Sequence, residues 1–505
     1  MFPLYVSTRS ANVILDFFAN FSTWQWIGFF VEYTIKIAAI GIVPEGRKPG
    51  SANAWLLLIL FLPVVGLPLY LILGSTYVNR RRHRIQHKAQ VMVEDVQRDV
   101  PDVPDGTAYS DEIDGIIKLN RRLTGNPALH GHVKALWSDY EKTMLRMAEI
   151  IDTAEEYVSV EVYIQAWDDT TAAFYDALER AVKRGVKVRL MFDHIGSWKY
   201  PRRYAFRKHL DKIGVDWKLM MPLLPWRGRF RRPDLRNHRK VVIVDGRVAF
   251  MGSYNLIDRS YLMKNHVKAG RQWIDVMVEL TGPIVTSLEA MFAVDWYTES
   301  GETMKITPPR DEDPGVADLN VLQLIPSGPG YTSEPNLKLF NSMMYHARER
   351  LVICSPYFVP DESLLGAVQT ACHRGVRVDL LVGEKADQFM VHHAQSAYYQ
   401  QLLEAGVRIW EFPEPYILHT KFAIADPGLD SCVAVIGSSN MDMRSFQLNY
   451  ENTLMVVEGS LLNDIAELAE NYLRVCGELT LDEWNARPWT RRYIDNVMKL
   501  TSALQ

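Results

Sequence analysis

A histidine and a lysine stand two residues apart at His238 and Lys240, ahead of an apolar run and Asp245. The run continues into a Gly-Ser-x-Asn that supplies Ser253 and Asn255. The same succession returns at His419, Lys421, Asp426, Ser438 and Asn440. An imidazole beside an ammonium group, with hydroxyl and amide donors nearby, suits an anionic phosphate. Lysine neutralises charge, Ser and Asn supply hydrogen bonds, and His can attack phosphorus or carry a proton. Two such half-sites facing one another would enclose one phosphodiester, one His acting as nucleophile and the other as acid and then base. That chemistry asks for no cofactor. A metal centre is a poorer reading, because the lysines would repel a cation and no Cys, His or carboxylate set has zinc spacing. A single His-x-Lys ahead of a strand is usually surface decoration; a duplicated formula at matching places in a repeat is not.

The elements that position these residues can be read around them. Side chains alternate along a strand, so the His and Lys of each pair point to one face. VVIVDGRVAFMG has Asp-Gly between two apolar runs, a hairpin signal that returns each Gly-Ser-x-Asn to its own His and Lys. The second copy lengthens that turn with PGLDS. Upstream, VSVEVYIQAWDD with ALERAVKRGVKVRLMFD and LVICSPYFVPDE with AVQTACHRGVRVDLLVG each spell strand, helix, strand. HLDKIGVDW and LLEAGVRIW form a third matched pair. Alternating apolar strands and amphipathic helices predict an α/β fold of two similar halves, with parallel sheets covered by helices.

Two copies of H-x-K-x4-D followed by G-S-x-N resemble the phospholipase D superfamily. RRPDLRNHRK, IPSGPG, SPYFVPDE, ILHTKFAIAD and SSNMDMRSFQLNYE, with the apolar N-terminus, are similar to its bacterial cardiolipin synthases. The resemblance runs from about Trp26 into the tail. It implies two phospholipase D-like halves packed as a pseudo-dimer, joining two phosphatidylglycerol molecules into cardiolipin and releasing glycerol. It also implies His238 as nucleophile and His419 as acid and base, with Lys240, Lys421, Asn255 and Asn440 holding the phosphate. Asp245 and Asp426 complete the motifs and organise structure more than chemistry. The superfamily places a carboxylate behind each His: Glu451 in NYE for His419, and Asp275 in QWIDV for His238. Phosphatidylglycerol and cardiolipin are the implied partners, and the oligomeric state is left open, a homodimer included.

The chain has 505 residues and a net charge of −4, so bulk electrostatics give no reason to expect nucleic acid. The four scattered cysteines fit buried thiols in a reducing compartment. Asn53–Gly74 is uncharged and long enough to cross a bilayer. Trp26–Val43 is a second candidate span, interrupted by Glu32 and Lys36 at i, i+4. No signal-peptide pattern precedes them, so they read as a retained transmembrane hairpin. The basic NRRRHRIQHK that follows puts the rest of the chain on the cytoplasmic side of a bacterial inner membrane. The organisation expected is an interfacial segment at 1–25, two membrane helices at 26–75 and a basic then acidic linker at 76–115. The halves follow at 116–305 and 319–480, joined by a linker at 306–318, and an amphipathic tail fills 481–505.

Met220–Lys240 runs from an apolar loop into five arginines before His238. It reads as a membrane-entry rim in which Leu223, Leu224 and Trp226 dip into lipid while Arg232 and Arg236 hold head groups. The tail RPWTRRYIDNVMKLTSAL has helical spacing and suits either a membrane surface or the body. His130 and His132 have no partner at a recognised spacing. Three rival functions remain to be separated from phosphatidyl transfer: hydrolysis of phospholipid to phosphatidic acid, nuclease-like phosphodiester cleavage, and an inactive membrane scaffold.

Overall fold

The computed structural model describes residues 22–47, 49–74, 91, 99–224, 229–308, 319–331 and 333–500. The chain divides into two compact units at Asn79/Arg80. The interfacial segment expected at the N-terminus, the basic block, most of the 306–318 linker and Trp226 lie outside the described residues.

In the N-terminal unit, Ser22 and Gln25 form a capping box that opens a helix over Thr23–Ile42. Glu32 and Lys36 pair on it at 2.5 Å, as their spacing predicts. Asn53–Gly74, however, is not one helix. A helix over Pro49–Phe61 stops at Leu62, whose backbone leaves helical space (φ −131°, ψ 65°), and a new one starts at Pro63 and ends at Leu69. Proline lacks the N–H that would continue the ladder, and its ring crowds the preceding turn. A wide π turn, Tyr70–Gly74, closes the unit. The expected transmembrane hairpin is corrected accordingly: no helix among the described residues is long and apolar enough to cross a membrane. The unit's surface is nonetheless apolar, with Trp24, Phe30, Ile37, Phe61 and Val64 between 62 % and 86 % exposed.

The body is built on two runs of strands. The first contains β1 (Ala128–Trp137), β2 (Tyr157–Val162), β3 (Lys187–Asp193), β4 (Asp216–Met220), β5 (Arg236–Asn237), β6 (Val241–Val244), β7 (Val248–Gly252), β8 (Gln272–Ile274) and β9 (Met277–Thr281). The second contains β10 (Asn320–Ser327), β11 (Arg350–Cys354), β12 (Arg377–Gly383), β13 (Arg408–Phe412), β14 (Tyr416–Leu418), β15 (Phe422–Ala425), β16 (Val433–Gly437), β17 (Asn449–Glu458) and β18 (Gly477–Leu479). One continuous sheet runs β18-β13-β12-β11-β15-β16-β17-β10-β1-β9-β7-β6-β2-β3-β4. Apart from the edge strand β18, the order is palindromic about the antiparallel β10–β1 pair, which joins the halves through Ala128↔Gln323 to Gly131↔Asn320.

The sheets are mixed rather than wholly parallel. Along the continuous sheet only β2-β3-β4 and β11-β12-β13 run parallel, because the motif strands return as hairpins that force antiparallel neighbours. One apolar core is shared between the halves. Leu288, Phe292 and Trp296 of the helix Ile284–Ser300 belong to it together with Leu461 and Ile465 of the helix Ser460–Leu473. At ~1.5–3 kcal/mol for each large apolar side chain, exposing these five alone would cost about 10 kcal/mol, so the halves stay together.

One boundary differs from expectation, and one open alternative is narrowed. The acidic linker ends early, since Ser110 caps a helix over Asp111–Thr124 whose Ile113, Ile116 and Ile117 join the core of the second half. The tail packs on the body: Asp495 of the helix Trp489–Lys499 meets His393 and Arg487, each at 2.6 Å.

Candidate active site

Each half lends a short strand to the other. β5 lies parallel to the start of β17, pairing Arg236 with Asn449 and Asn237 with Tyr450, and the His238 N–H then donates to the Tyr450 carbonyl at 2.8 Å. Symmetrically, β8 lies parallel to β14, and the His419 N–H donates to the Ile274 carbonyl at 2.9 Å. These exchanged strands bring the two imidazoles together, 6.4 Å between ring centroids and nearly perpendicular. Both histidines are buried, as are Lys240 and Lys421. The Lys240 ammonium donates to the His238 carbonyl at 2.5 Å, and Lys421 makes the same bond to the His419 carbonyl.

The carboxylates behind the histidines are crossed. His238 Nδ1 lies 3.0 Å from both Glu451 oxygens, and His419 Nδ1 lies 2.6 Å from Asp275 Oδ1. The sequence reading had paired them the other way, within each half. The strand exchange is the physical reason: Glu451 follows Tyr450 on β17, which β5 joins, and Asp275 follows Ile274 on β8, which β14 joins. A carboxylate on Nδ1 fixes the tautomer and leaves each Nε2 as the nitrogen available for chemistry.

The remaining motif residues hold this frame. The Ser438 hydroxyl donates to Glu451 Oε2 at 2.6 Å, while the Ser253 hydroxyl accepts from the Val276 N–H at 3.0 Å. The glycine before each serine is obligatory: a Cβ on Gly252 would stand 2.3 Å from the Val276 carbonyl oxygen, and one on Gly437 2.3 Å from that of Asn452. Asn255 accepts from the Ile164 N–H and donates to the Tyr261 hydroxyl, so it braces the wall of the site. Asn440 Oδ1 is buried with no hydrogen-bond partner among the described residues.

Asp245 and Asp426 sit in left-handed turns (φ 53° and 51°), away from the imidazoles' ring nitrogens. Asp245 accepts the backbone N–H groups of Glu155, Glu156 and Tyr157 at 2.8–2.9 Å. Asp426 does the same for Arg348, Glu349 and Arg350 at 2.8–3.1 Å. Each aspartate thus ties the motif hairpin to the first parallel strand of its half. Asp426→Ala orphans three backbone donors and the Ser431 hydroxyl at once and should cost about 3–5 kcal/mol of stability, read by denaturant unfolding. The activity of the molecules that remain folded should be unchanged. A large loss of activity at full stability would instead place Asp426 in the chemistry.

Burial sets the protonation of the site. Burial, reinforced by Lys240, Lys421 and His419, holds His238 well below the usual imidazole range. Burial also lowers His419, against the opposing pull of Asp275. Burial raises Glu451 to about 7, more than Lys240 pulls it down. Burial acts upward on Asp275 too, but His419 and Lys421 outweigh it and keep that carboxyl below its ordinary range. Lys421 is brought down to about 8 by burial, which also holds Lys240 well below the usual ammonium range. The two histidines therefore share geometry but not electrostatics: only His419 faces a firmly ionised carboxylate.

A family model described as the phospholipase D-like domain of cardiolipin synthase matches residues 147–296 and 340–473. Cardiolipin synthase A of Proteus mirabilis is 32 % identical over 494 residues, covering 96 % of this chain and 99 % of that protein. The chain belongs to the cardiolipin synthase family. A relative in Pectobacterium atrosepticum, also named cardiolipin synthase A, is 31 % identical over 95 % of this chain and 98 % of its own. The phospholipase D-nuclease N-terminal family matches residues 34–75. Among solved structures, phosphatidylserine synthase of Haemophilus influenzae shares the fold, with a TM-score of 0.54 at 15 % identity over 77 % of this chain and 99 % of that one.

Within this family frame, the rim arginines fall elsewhere than expected. Arg232 pairs with Asp234, Nε to Oδ1 at 3.0 Å. Arg236 is buried and bonded to Asp193 Oδ1 at 3.1 Å, where it cannot face a lipid head group. The same Asp193 accepts the Asn237 N–H at 3.0 Å and those of Ile195 and Gly196, anchoring the strand that delivers His238. Sequence reasoning missed Asp193, and no repeat signal marks it, since Gly383 ends the matching strand. It also missed Tyr163, whose ring stands 5.0 Å from His238 with the Lys240 ammonium over it, and Tyr261, 6.5 Å from His419.

Proposed function

We propose that the chain is a membrane-associated cardiolipin synthase that works through His238 and His419 in two steps. His238 Nε2 attacks the phosphorus of one phosphatidylglycerol. The bond from phosphorus to the head-group oxygen breaks, and His419 gives its proton to that oxygen, so glycerol departs. His419 then takes the proton of a head-group hydroxyl on a second phosphatidylglycerol. That oxygen attacks phosphorus, the P–N bond to His238 breaks, and cardiolipin is formed. Two observations support these roles: burial keeps His238 neutral, with the free lone pair a nucleophile needs, and Asp275 opposes the burial that lowers His419, favouring the imidazolium that an acid needs. An arriving phosphodiester anion counters the burial that lowers Lys240 and Lys421, so bound phosphate favours their charged forms.

The observation that carries the reading is the pair of facing imidazoles, each backed by a carboxylate from the opposite half. The apolar surface of the N-terminal unit supports a seat in the membrane, which we place at the cytoplasmic face of a bacterial inner membrane. Mass spectrometry of phosphatidylglycerol vesicles incubated with the enzyme is the test. The expected products are cardiolipin and glycerol, both lost in His238→Ala and in His419→Ala. Phosphatidic acid in place of cardiolipin would make water the acceptor and the protein a hydrolase.

A further inference from the structure

Cardiolipin carries two phosphates, and the paired histidines and lysines can hold only the one that reacts. The acceptor lipid brings its own phosphodiester, one three-carbon bridge away, and that anion needs partners of its own. The first half contains a recess that meets this need beside the site. Tyr163 connects the two: its ring lies against His238, and its carbonyl accepts from the Ser197 hydroxyl at 3.4 Å. Ser197 lines the recess with Gln165, Tyr200, Arg203 and Arg207, a narrow opening of about 10 Å³ that admits a group the size of one water or one phosphate oxygen.

The recess is rich in donors that the protein leaves unused. Gln165 Nε2 and the Tyr200 hydroxyl have no hydrogen-bond partner among the described residues, although each residue is only 3 % exposed. The Gln165 oxygen is occupied by the Tyr175 hydroxyl at 3.1 Å, which fixes the amide with its nitrogen free. Arg203 and Arg207 are half-buried and have no carboxylate partner among the described residues. Arg203 donates to the Trp198 carbonyl at 2.8 Å, and Arg207 lies over the rings of Phe192 and Trp217. The helix Arg203–Ile213 opens at the recess with no side-chain cap, which adds the positive end of its dipole. Burial, with Arg207, Arg236 and Arg203 nearby, holds the adjacent His194 down to about 4. Buried donors left without acceptors, as at Gln165 and Tyr200, are costly unless an anion or water completes them.

The surroundings favour lipid over free phosphate as the source of that anion. Trp198 and Tyr204 are exposed on either side of Arg203, their rings 5.9 and 4.7 Å from its guanidinium. Exposed aromatic rings clasping a cation match the composition of a membrane interface.

We propose that Gln165, Tyr200, Arg203 and Arg207 form a second anion site, which holds the phosphodiester of the acceptor phosphatidylglycerol. The assignment rests on the phosphatidyl-transfer reading. It is tested on the full-length enzyme in mixed micelles by two rates. One is cardiolipin formation; the other is exchange of labelled glycerol into phosphatidylglycerol, which uses the same donor but an acceptor without a phosphate. Arg207→Gln should lower the ratio of cardiolipin formation to exchange about tenfold, as loss of one charge-assisted contact would. Tyr200→Phe, which removes only an unpartnered hydroxyl and so does not threaten folding, should lower it about threefold. Arg207→Lys should recover part of the loss. An unchanged ratio in both Arg207→Gln and Tyr200→Phe overturns the site. Inorganic phosphate that alters the wild-type rates but not those of Arg207→Gln, with the ratio unchanged, assigns the recess to free phosphate and overturns the lipid assignment. A wild type that makes phosphatidic acid, with neither cardiolipin nor exchange, overturns the proposal through the transfer reading itself, before any variant is compared.

Discussion

Given a phosphatidyl donor whose leaving group is p-nitrophenolate, His419→Ala should release one equivalent of nitrophenolate per active site and then stall. His238→Ala should release none. The two histidines differ in what the first step asks of them. A departing glycerol alkoxide is strongly basic and needs the proton that His419 supplies, whereas nitrophenolate leaves without one. With that donor the nucleophile is sufficient for the first half-reaction. The second half-reaction still needs a base to draw the proton from the acceptor hydroxyl, so phosphatidyl-His238 accumulates in His419→Ala. The trapped species should be stable to alkali and cleaved by acid, as a P–N bond is. With phosphatidylglycerol as donor, either variant should lose about 10³-fold or more in turnover, since residues that act as a unit are lost together. A burst in His238→Ala and none in His419→Ala would exchange the roles. Bursts in both would mean that either imidazole can attack.

Much of this site is legible in the chain because the fold repeats it. The duplicated His-x-Lys, the Asp-Gly hairpin and the matched strand-helix-strand runs anticipate two α/β halves, and the palindromic sheet order is that duplication drawn in space. The turns that hold Asp245 and Asp426 are legible too, but the backbone donors these residues bind lie 88–90 and 76–78 residues upstream, beyond a local reading. What the chain conceals is whatever depends on one half meeting the other. The exchanged strands β5 and β14 are two and three residues long, too short to carry a periodic signal. Glu451 and Asp275 occupy equivalent positions, opposite Ser438 and Ser253, so reading each half alone assigns each carboxylate to its own histidine. Asp193 carries no duplicate at Gly383. Hydropathy also passes straight through Pro63, because it registers side-chain character and not the backbone break that splits Asn53–Gly74.

The crossed carboxylates lead to a result that the uncrossed assignment would invert. Asp275→Asn removes the anion behind His419, and Glu451→Gln the group behind His238. An amide keeps the shape but no longer accepts the Nδ1–H as a charged partner, a change that costs up to about 10⁴-fold in a catalytic triad. Asp275→Asn should therefore lower turnover on phosphatidylglycerol by about 10²–10⁴-fold while leaving the nitrophenolate burst fast, because the burst does not use His419 as an acid. Glu451→Gln should slow the burst itself, because the nucleophile is then the group deprived of support. The pH profile adds a second discriminant. Burial places Glu451 at about 7, so it is neutral below that pH and becomes a carboxylate above it. The ionised carboxylate is the stronger acceptor for the His238 Nδ1–H, beside the Ser438 carbonyl at 3.1 Å, and it raises the electron density on Nε2. The burst rate of the wild type should accordingly climb as pH rises through about 7, and Glu451→Gln should flatten that climb. Asp275 is held below its ordinary range and stays ionised throughout, so Asp275→Asn should leave the climb in place. If Asp275→Asn instead slows the burst while Glu451→Gln spares it, His419 is the nucleophile. If the two variants affect burst and turnover alike, the carboxylates hold the frame without dividing the roles.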